Sequence, residues 1–231
     1  MKTRIEALSE GAGREVVIDA GQVNLHGCLE IPSRASGLVV FAHGSGSSRF
    51  SRRNQYVAGV MRQAGLGTLL FDLLTPEEER VDEVTRHLRF DIPLLAGRLV
   101  AVALWVRGFP GTTALPIGLF GASTGGAAAL VAAAELGPAV GAVVSRGGRP
   151  DLAGPALREV EAPTLLIVGG YDDVVIDLNE DALLRLQCEK QLRIVPGATH
   201  LFEEPGKLEQ VARLSSEWFT RHLRKADDAQ T

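Results

Sequence analysis

Between an apolar run at residues 115–120 and an alanine-rich run at 124–136 the chain reads Gly121-Ala122-Ser123-Thr124-Gly125-Gly126. The first run predicts a buried strand, the second a helix with small residues near its start. A serine at such a junction is forced onto a sharp turn that projects its hydroxyl from the end of the sheet. Small neighbours at Gly121, Gly125 and Gly126 let the backbone turn tightly and let the helix approach the sheet. The pattern Gly-x-Ser-x-Gly in this setting makes Ser123 a candidate nucleophile. The plainer alternative is a serine that only caps the helix.

The rest of the chain repeats this alternation. Residues 14–19 and 25–31 read as two strands turning at Gly21, an antiparallel hairpin. Apolar runs at 38–42, 67–71, 140–145, 164–168 and 192–195 read as further strands. A continuous apolar run, as at 38–42, is what a strand buried on both faces requires. Helical patterns cover 54–63, 84–107, 179–187 and 207–223, and Pro93 is expected to break or kink the longest of these. The 231 residues, 45% apolar, suffice for one sizeable core. The prediction is an α/β fold with about eight strands, mostly parallel, and helices on both faces. It places residues 1–231 in one domain and expects the polar tail 224–231 to fray. Too few residues separate the strands at 140–145 and 164–168 for a large helical cap, so the site is expected to be open.

A serine hydroxyl is a poor nucleophile at neutral pH and needs a base, itself oriented by a carboxylate. Five histidines are present. His200, in Pro196-Gly197-Ala198-Thr199-His200, lies just beyond the last strand and is the candidate base. His26, His87 and His222 fall within strand or helix patterns, and His43 belongs to another motif. The acid is expected after the strand at 164–168, where Gly169-Gly170-Tyr171-Asp172-Asp173 offers two aspartates. Asp172 is favoured over Asp173, because a Gly-x-x-Asp turn folds its carboxylate back towards His200. Asp177 reads as a cap near the start of the next helix. The order serine, acid, histidine is the one expected on such a sheet.

A tetrahedral oxyanion needs backbone N–H donors. Thr124, next after the serine, supplies one candidate. The loop His43-Gly44-Ser45-Gly46-Ser47-Ser48 supplies the other, the amide of Ser45, with His43 structural. The loop lacks the Gly-Lys-Ser/Thr ending of a phosphate-binding P-loop.

These four segments, His-Gly-Ser-Gly-Ser-Ser, Gly-Ala-Ser-Thr-Gly-Gly, Gly-Gly-Tyr-Asp and Pro-Gly-Ala-Thr-His-Leu-Phe, together resemble the dienelactone-hydrolase-related branch of the α/β-hydrolases. More narrowly they resemble small bacterial members, some fused to phosphoribosyltransferase domains. The likeness runs from about Val16 to Leu223. It implies the eight-stranded α/β-hydrolase fold and a Ser123–Asp172–His200 triad. Dienelactone hydrolase itself carries a cysteine where this chain has Ser123, so a dienelactone substrate is not carried over. No phosphoribosyltransferase motif is present.

The reading is a serine hydrolase cleaving a small-molecule carboxylic ester or lactone through an acyl-enzyme, without metal or organic cofactor. An amidase or peptidase with the same triad, and a non-catalytic binding module on this fold, are the alternatives. Arg49, Arg52 and Arg53 follow the oxyanion loop, and Arg146 and Arg149 follow the strand at 140–145. The preferred reading pairs them with acids such as Asp151 or the Glu77-Glu78-Glu79 run, or turns them to solvent. The sharper one makes Arg49 and Arg146 candidates for holding an acid-bearing substrate. The segment 73–89 reads as a short flap or as a connection with a helix starting after Pro76.

A net charge of −4 gives no support to nucleic-acid binding. No run reaches the ~18 apolar residues of a membrane helix. Cys28 and Cys188 lack metal-ligand spacing and read as small core residues. Residues 1–14 are charged and lack the apolar centre of a signal peptide, so a cytoplasmic protein is expected. Nothing in the sequence bears on oligomeric state.

Overall fold

The computed structural model describes residues 13–223; the polar tail at 224–231 lies outside them. Eight strands form one sheet: β1 (Arg14–Asp19), β2 (Asn24–Glu30), β3 (Gly37–Ala42), β4 (Leu66–Phe71), β5 (Ile117–Ala122), β6 (Val140–Arg146), β7 (Thr164–Gly169) and β8 (Lys190–Val195). Their order is β1-β2-β4-β3-β5-β6-β7-β8. The pairs β1/β2 and β2/β4 are antiparallel and the remaining pairs parallel. Six helices complete the fold: α1 (Arg52–Gln63), α2 (Pro76–Thr85), α3 (Ile92–Gly108), α4 (Thr124–Leu136), α5 (Asp173–Arg185) and α6 (Lys207–His222).

The strands β3, β4, β5 and β7 are buried at every residue, as their unbroken apolar sequences demand. Their alternate side chains feed two cores. On one face Leu38, Val40, Leu119 and Val143 pack with Leu99 of α3 and Leu130 of α4. On the other Phe41, Phe120 and Ile167 pack with Val57 and Met61 of α1 and Val211 and Phe219 of α6. The Phe41 and Phe120 rings lie 4.7 Å apart. Cys28 and Cys188 are only half-buried free thiols, and Cys188 packs against the first of these cores.

Two helical expectations are corrected. The pattern at 84–107 does break in its first third, but into two separate helices whose break falls before Pro93. Thr75 starts α2 with a reciprocal capping box to Glu78, and that helix ends at Arg86 in left-handed conformation. A short 3-10 turn, Leu88–Phe90, follows. Asp91 then caps α3, in which Pro93 occupies the first turn, where its missing N–H has no intrahelical partner to lose. The helix expected from Asn179 begins six residues earlier, at Asp173. Asp177 is therefore inside α5, not a cap. Between β6 and β7 lies only a kinked 3-10 run, Pro150–Glu159, so no cap domain covers the sheet edge among the described residues.

The junction of β5 and α4 depends on absent side chains. A Cβ on Gly121 would sit 2.2 Å from the Gly125 carbonyl oxygen, and one on Gly125 would sit 2.3 Å from that of Ala42. Real Cβ atoms do not approach so closely, and the obstacle is main chain that cannot rotate away. Gly125→Ala is expected to destabilise the fold by about 3 kcal/mol or more. Urea unfolding checks this; a loss of under about 1 kcal/mol would show that α4 can lift from β3.

Candidate active site

Ser123 follows β5 directly and adopts φ 51°, ψ −121°, a region that L-residues rarely enter. Three hydrogen bonds hold it there. Its N–H donates to the Arg146 carbonyl at 3.1 Å, and its own carbonyl accepts from Gly126 at 2.9 Å and Arg149 at 3.2 Å. The half-buried side chain is thereby presented at the carboxyl edge of the sheet.

The loops after β7 and β8 bring the acid and the base together. Gly170 N–H donates to Val195 O and Tyr171 N–H to Ala198 O, both at 2.9 Å. Across this seam His200 Nδ1–H donates to Asp172 Oδ2 at 2.6 Å. Glu204 fixes the base's loop by accepting from Thr199 N–H. Asp173, the other candidate acid, is exposed in the first turn of α5. The His200 ring lies over Gly147, its Nδ1 3.5 Å from where a Cβ there would be. Gly147 is next to Arg146, whose carbonyl holds Ser123. The His200 ring and the Ser123 turn thus both adjoin the end of β6, and no hydrogen bond joins Ser123 to His200 among the described residues.

On the opposite side of Ser123 the loop after β3 presses against the turn. A Cβ on Gly44 would lie 3.1 Å from Ser123 Cβ. The Ser45 N–H donates to the Thr124 hydroxyl at 3.0 Å. Thr124 N–H belongs to the first turn of α4, where amides lack intrahelical acceptors. A narrow cleft beside Ser45 and Thr124 is lined by Leu73, Leu74, Glu79 and Arg89. The sequence named Glu79 only as a possible partner of the arginines, and Arg89 had no signal beyond the acidic stretch in which it lies. Burial raises the Glu79 pKa above the usual carboxylate range.

His43 is a structural pin. Its Nε2 accepts from Leu73 N–H at 3.0 Å, so Nδ1 carries the proton and donates to Gly44 O at 2.9 Å. Burial lowers its pKa, which keeps the ring neutral.

The arginines divide sharply. Arg49 is not a free cation at the mouth, because it is paired with Asp72 and lies 3.6 Å from Glu15. Its guanidinium also covers the Phe50 ring at 4.2 Å. Arg149 binds Asp151 through two nitrogens, at 2.8 and 2.7 Å. Arg53 reaches Glu203 at 2.9 Å, and Arg52 is exposed. Arg146 differs: only 8% of its surface is exposed, and its buried Nε and Nη1 have no hydrogen-bond partner among the described residues. Burial, reinforced by the charge of Arg53, lowers its pKa to about 10, so it remains charged at neutral pH. No group of side chains suited to a metal ion occurs among the described residues. No described helix is long and apolar enough to cross a membrane.

The buried neutral His43 makes stability pH-dependent. Its folded pKa is depressed, so its contribution is complete above the unfolded imidazole value of ~6.5 and is lost as pH falls through the folded value. His43→Gln keeps an acceptor for Leu73 N–H but cannot protonate. Melting curves from about pH 8 down to about pH 5 should fall less steeply for this variant than for the wild type. Identical acid slopes would clear His43 of this role.

Comparison with known proteins agrees with this fold. The family model described as the dienelactone hydrolase family matches residues 62–223. A crystal structure of dienelactone hydrolase from Anabaena variabilis is 62% identical, covers 94% of this chain and 100% of its own, and superimposes with a TM-score of 0.92. A Mycobacterium tuberculosis protein named putative phosphoribosyl transferase is 60% identical over 209 residues, which are 90% of this chain and 46% of that protein. The chain thus spans about half the length of that relative. An α/β serine hydrolase without lid from Xanthomonas campestris shares the fold at a TM-score of 0.73 and 22% identity, over 94% of this chain and 98% of its own. With the family model covering more than half of its residues, this chain belongs to the dienelactone hydrolase family.

Proposed function

We propose that this hydrolase is a serine esterase acting on a small-molecule carboxylic ester or lactone. The observation that carries the reading is the 2.6 Å bond from His200 Nδ1–H to Asp172 beside the strained Ser123 turn. That bond fixes the tautomer whose Nε2 is free to accept a proton. Ser123 Oγ attacks the carbonyl carbon while His200 Nε2 takes the serine proton. Asp172 stabilises the resulting imidazolium, and collapse of the tetrahedral adduct expels the alcohol with that proton. Water then repeats the sequence on the acyl-enzyme.

A fluorophosphonate probe should label the wild type and not Ser123→Ala. Asp172→Asn should lower kcat on a short-chain aryl ester by about 10⁴-fold, because the amide selects the wrong histidine tautomer. Labelling that survives Ser123→Ala places the nucleophile elsewhere.

Arg146 supports an acid group on the substrate. A guanidinium out of water with vacant donors beside a second cation is unfavourable alone and is compensated by an anion. Its carbonyl accepts the Ser123 N–H, so the residue that carries this charge adjoins the nucleophile's turn. Arg146→Gln should lower kcat/KM for a dicarboxylate half-ester about tenfold or more relative to the matching neutral diester. A ratio unchanged within about twofold removes the acid group from the reading.

A further inference from the structure

Thr124 places a hydroxyl beside the nucleophile's turn. The residue is 3% exposed and opens α4 beside the nucleophile. Its hydroxyl accepts the Ser45 N–H at 3.0 Å and makes no other hydrogen bond among the described residues. A hydroxyl that accepts still has one proton to donate. The expected direct oxyanion donor, the Ser45 amide, is therefore already engaged. To reach the oxyanion it would have to abandon a buried hydroxyl, and Gly44, packed on Ser123 Cβ, leaves its loop little room to move.

A different donor set requires no such rearrangement. We infer that the Thr124 hydroxyl is itself an oxyanion donor, oriented and polarised by the Ser45 N–H behind it. Thr124 then binds the oxyanion twice, through N–H and Oγ1–H, and Ser45 acts as a positioning residue. The chain Ser45 N–H to Thr124 O–H to oxyanion strengthens as negative charge grows on the oxygen, because successive hydrogen bonds polarise one another. When the Ser123 Oγ–carbon bond forms, the carbonyl π pair moves to oxygen and the serine proton goes to His200. The Thr124 proton stays on Thr124 throughout. This inference rests on the serine-esterase reading.

Thr124→Val preserves shape and removes the hydroxyl; Thr124→Ser keeps it. On a short-chain aryl ester, Val should lower kcat about 10²-fold with KM within about threefold, and Ser should restore kcat to within about fivefold of wild type. Fluorophosphonate labelling of Ser123 should slow in parallel, since the phosphoryl oxygen occupies the same place. Thr124→Ala repeats the test if the valine variant fails to fold. A valine variant with kcat unchanged or raised overturns the inference, making the hydroxyl a mere placeholder on the Ser45 amide. A serine variant as slow as valine also overturns it, assigning the effect to methyl packing. Wild type that neither labels nor turns over the ester strikes down the esterase reading, and this inference with it.

Discussion

Gly125 lies against the end of β3 at a distance no other residue permits, with a Cβ there only 2.3 Å from Ala42 O and 2.5 Å from His43 O. This backbone contact fixes the start of α4 to the exact strand whose following loop carries Ser45. The chain leaving β5 consequently has one residue in which to reverse direction, and that residue is Ser123, at φ 51°. Such a conformation costs on the order of 1–3 kcal/mol. It persists because β5 and the first turns of α4 are buried throughout and cannot relax independently. The same contact delivers the loop: with Gly44 seated on Ser123 Cβ, the Ser45 amide has little choice but to meet Thr124.

The two halves of the site are built by different means. The side that carries Ser45 and Thr124 is held mainly by main chain in van der Waals contact, where position is set by what side chains are missing. The acid–base side is made of loops held by discrete hydrogen bonds, Tyr171 to Ala198, Thr199 to Glu204 and His200 to Asp172. Groups held in this way need no reorganisation to meet charge that develops beside them. His200 sits on the more adjustable side.

Much of this was legible in the sequence because the features were local or periodic. Unbroken apolar runs marked the parallel strands, and glycine, serine and histidine at strand ends marked the edge where the chemistry lies. The losses have physical reasons. Pro93 is as compatible with the first turn of a helix as it is disruptive inside one, so a helical period across it is ambiguous. The deciding signals were Thr75 three residues before Glu78 and Asp91 three before Leu94. The early start of α5 was hidden because Asp172, at its N-cap position, spends its carboxylate on His200 and not on the helix. Arg49 and Asp72 are far apart in sequence and meet only because β3 and β4 are parallel neighbours, a relation no motif encodes. The Thr124 hydroxyl has no signal of its own in the sequence, because the motif specifies that residue only through its amide.

Arg146 shows how position within an element determines the use of a charge. Arg49, Arg53 and Arg149 leave loops or a helix start, where long side chains swing until they find a carboxylate. Arg146 is the last residue of β6, in register with Ala122, and strand alternation sends it to the same face as Val144. Its stem is confined by that core, and the charge it meets there is the like charge of Arg53. A flexible arginine in this neighbourhood would be neutralised by Glu203 as Arg53 is. One anchored in the sheet is held in place with buried donors vacant, in a position set by the same strand register that carries the Ser123 turn.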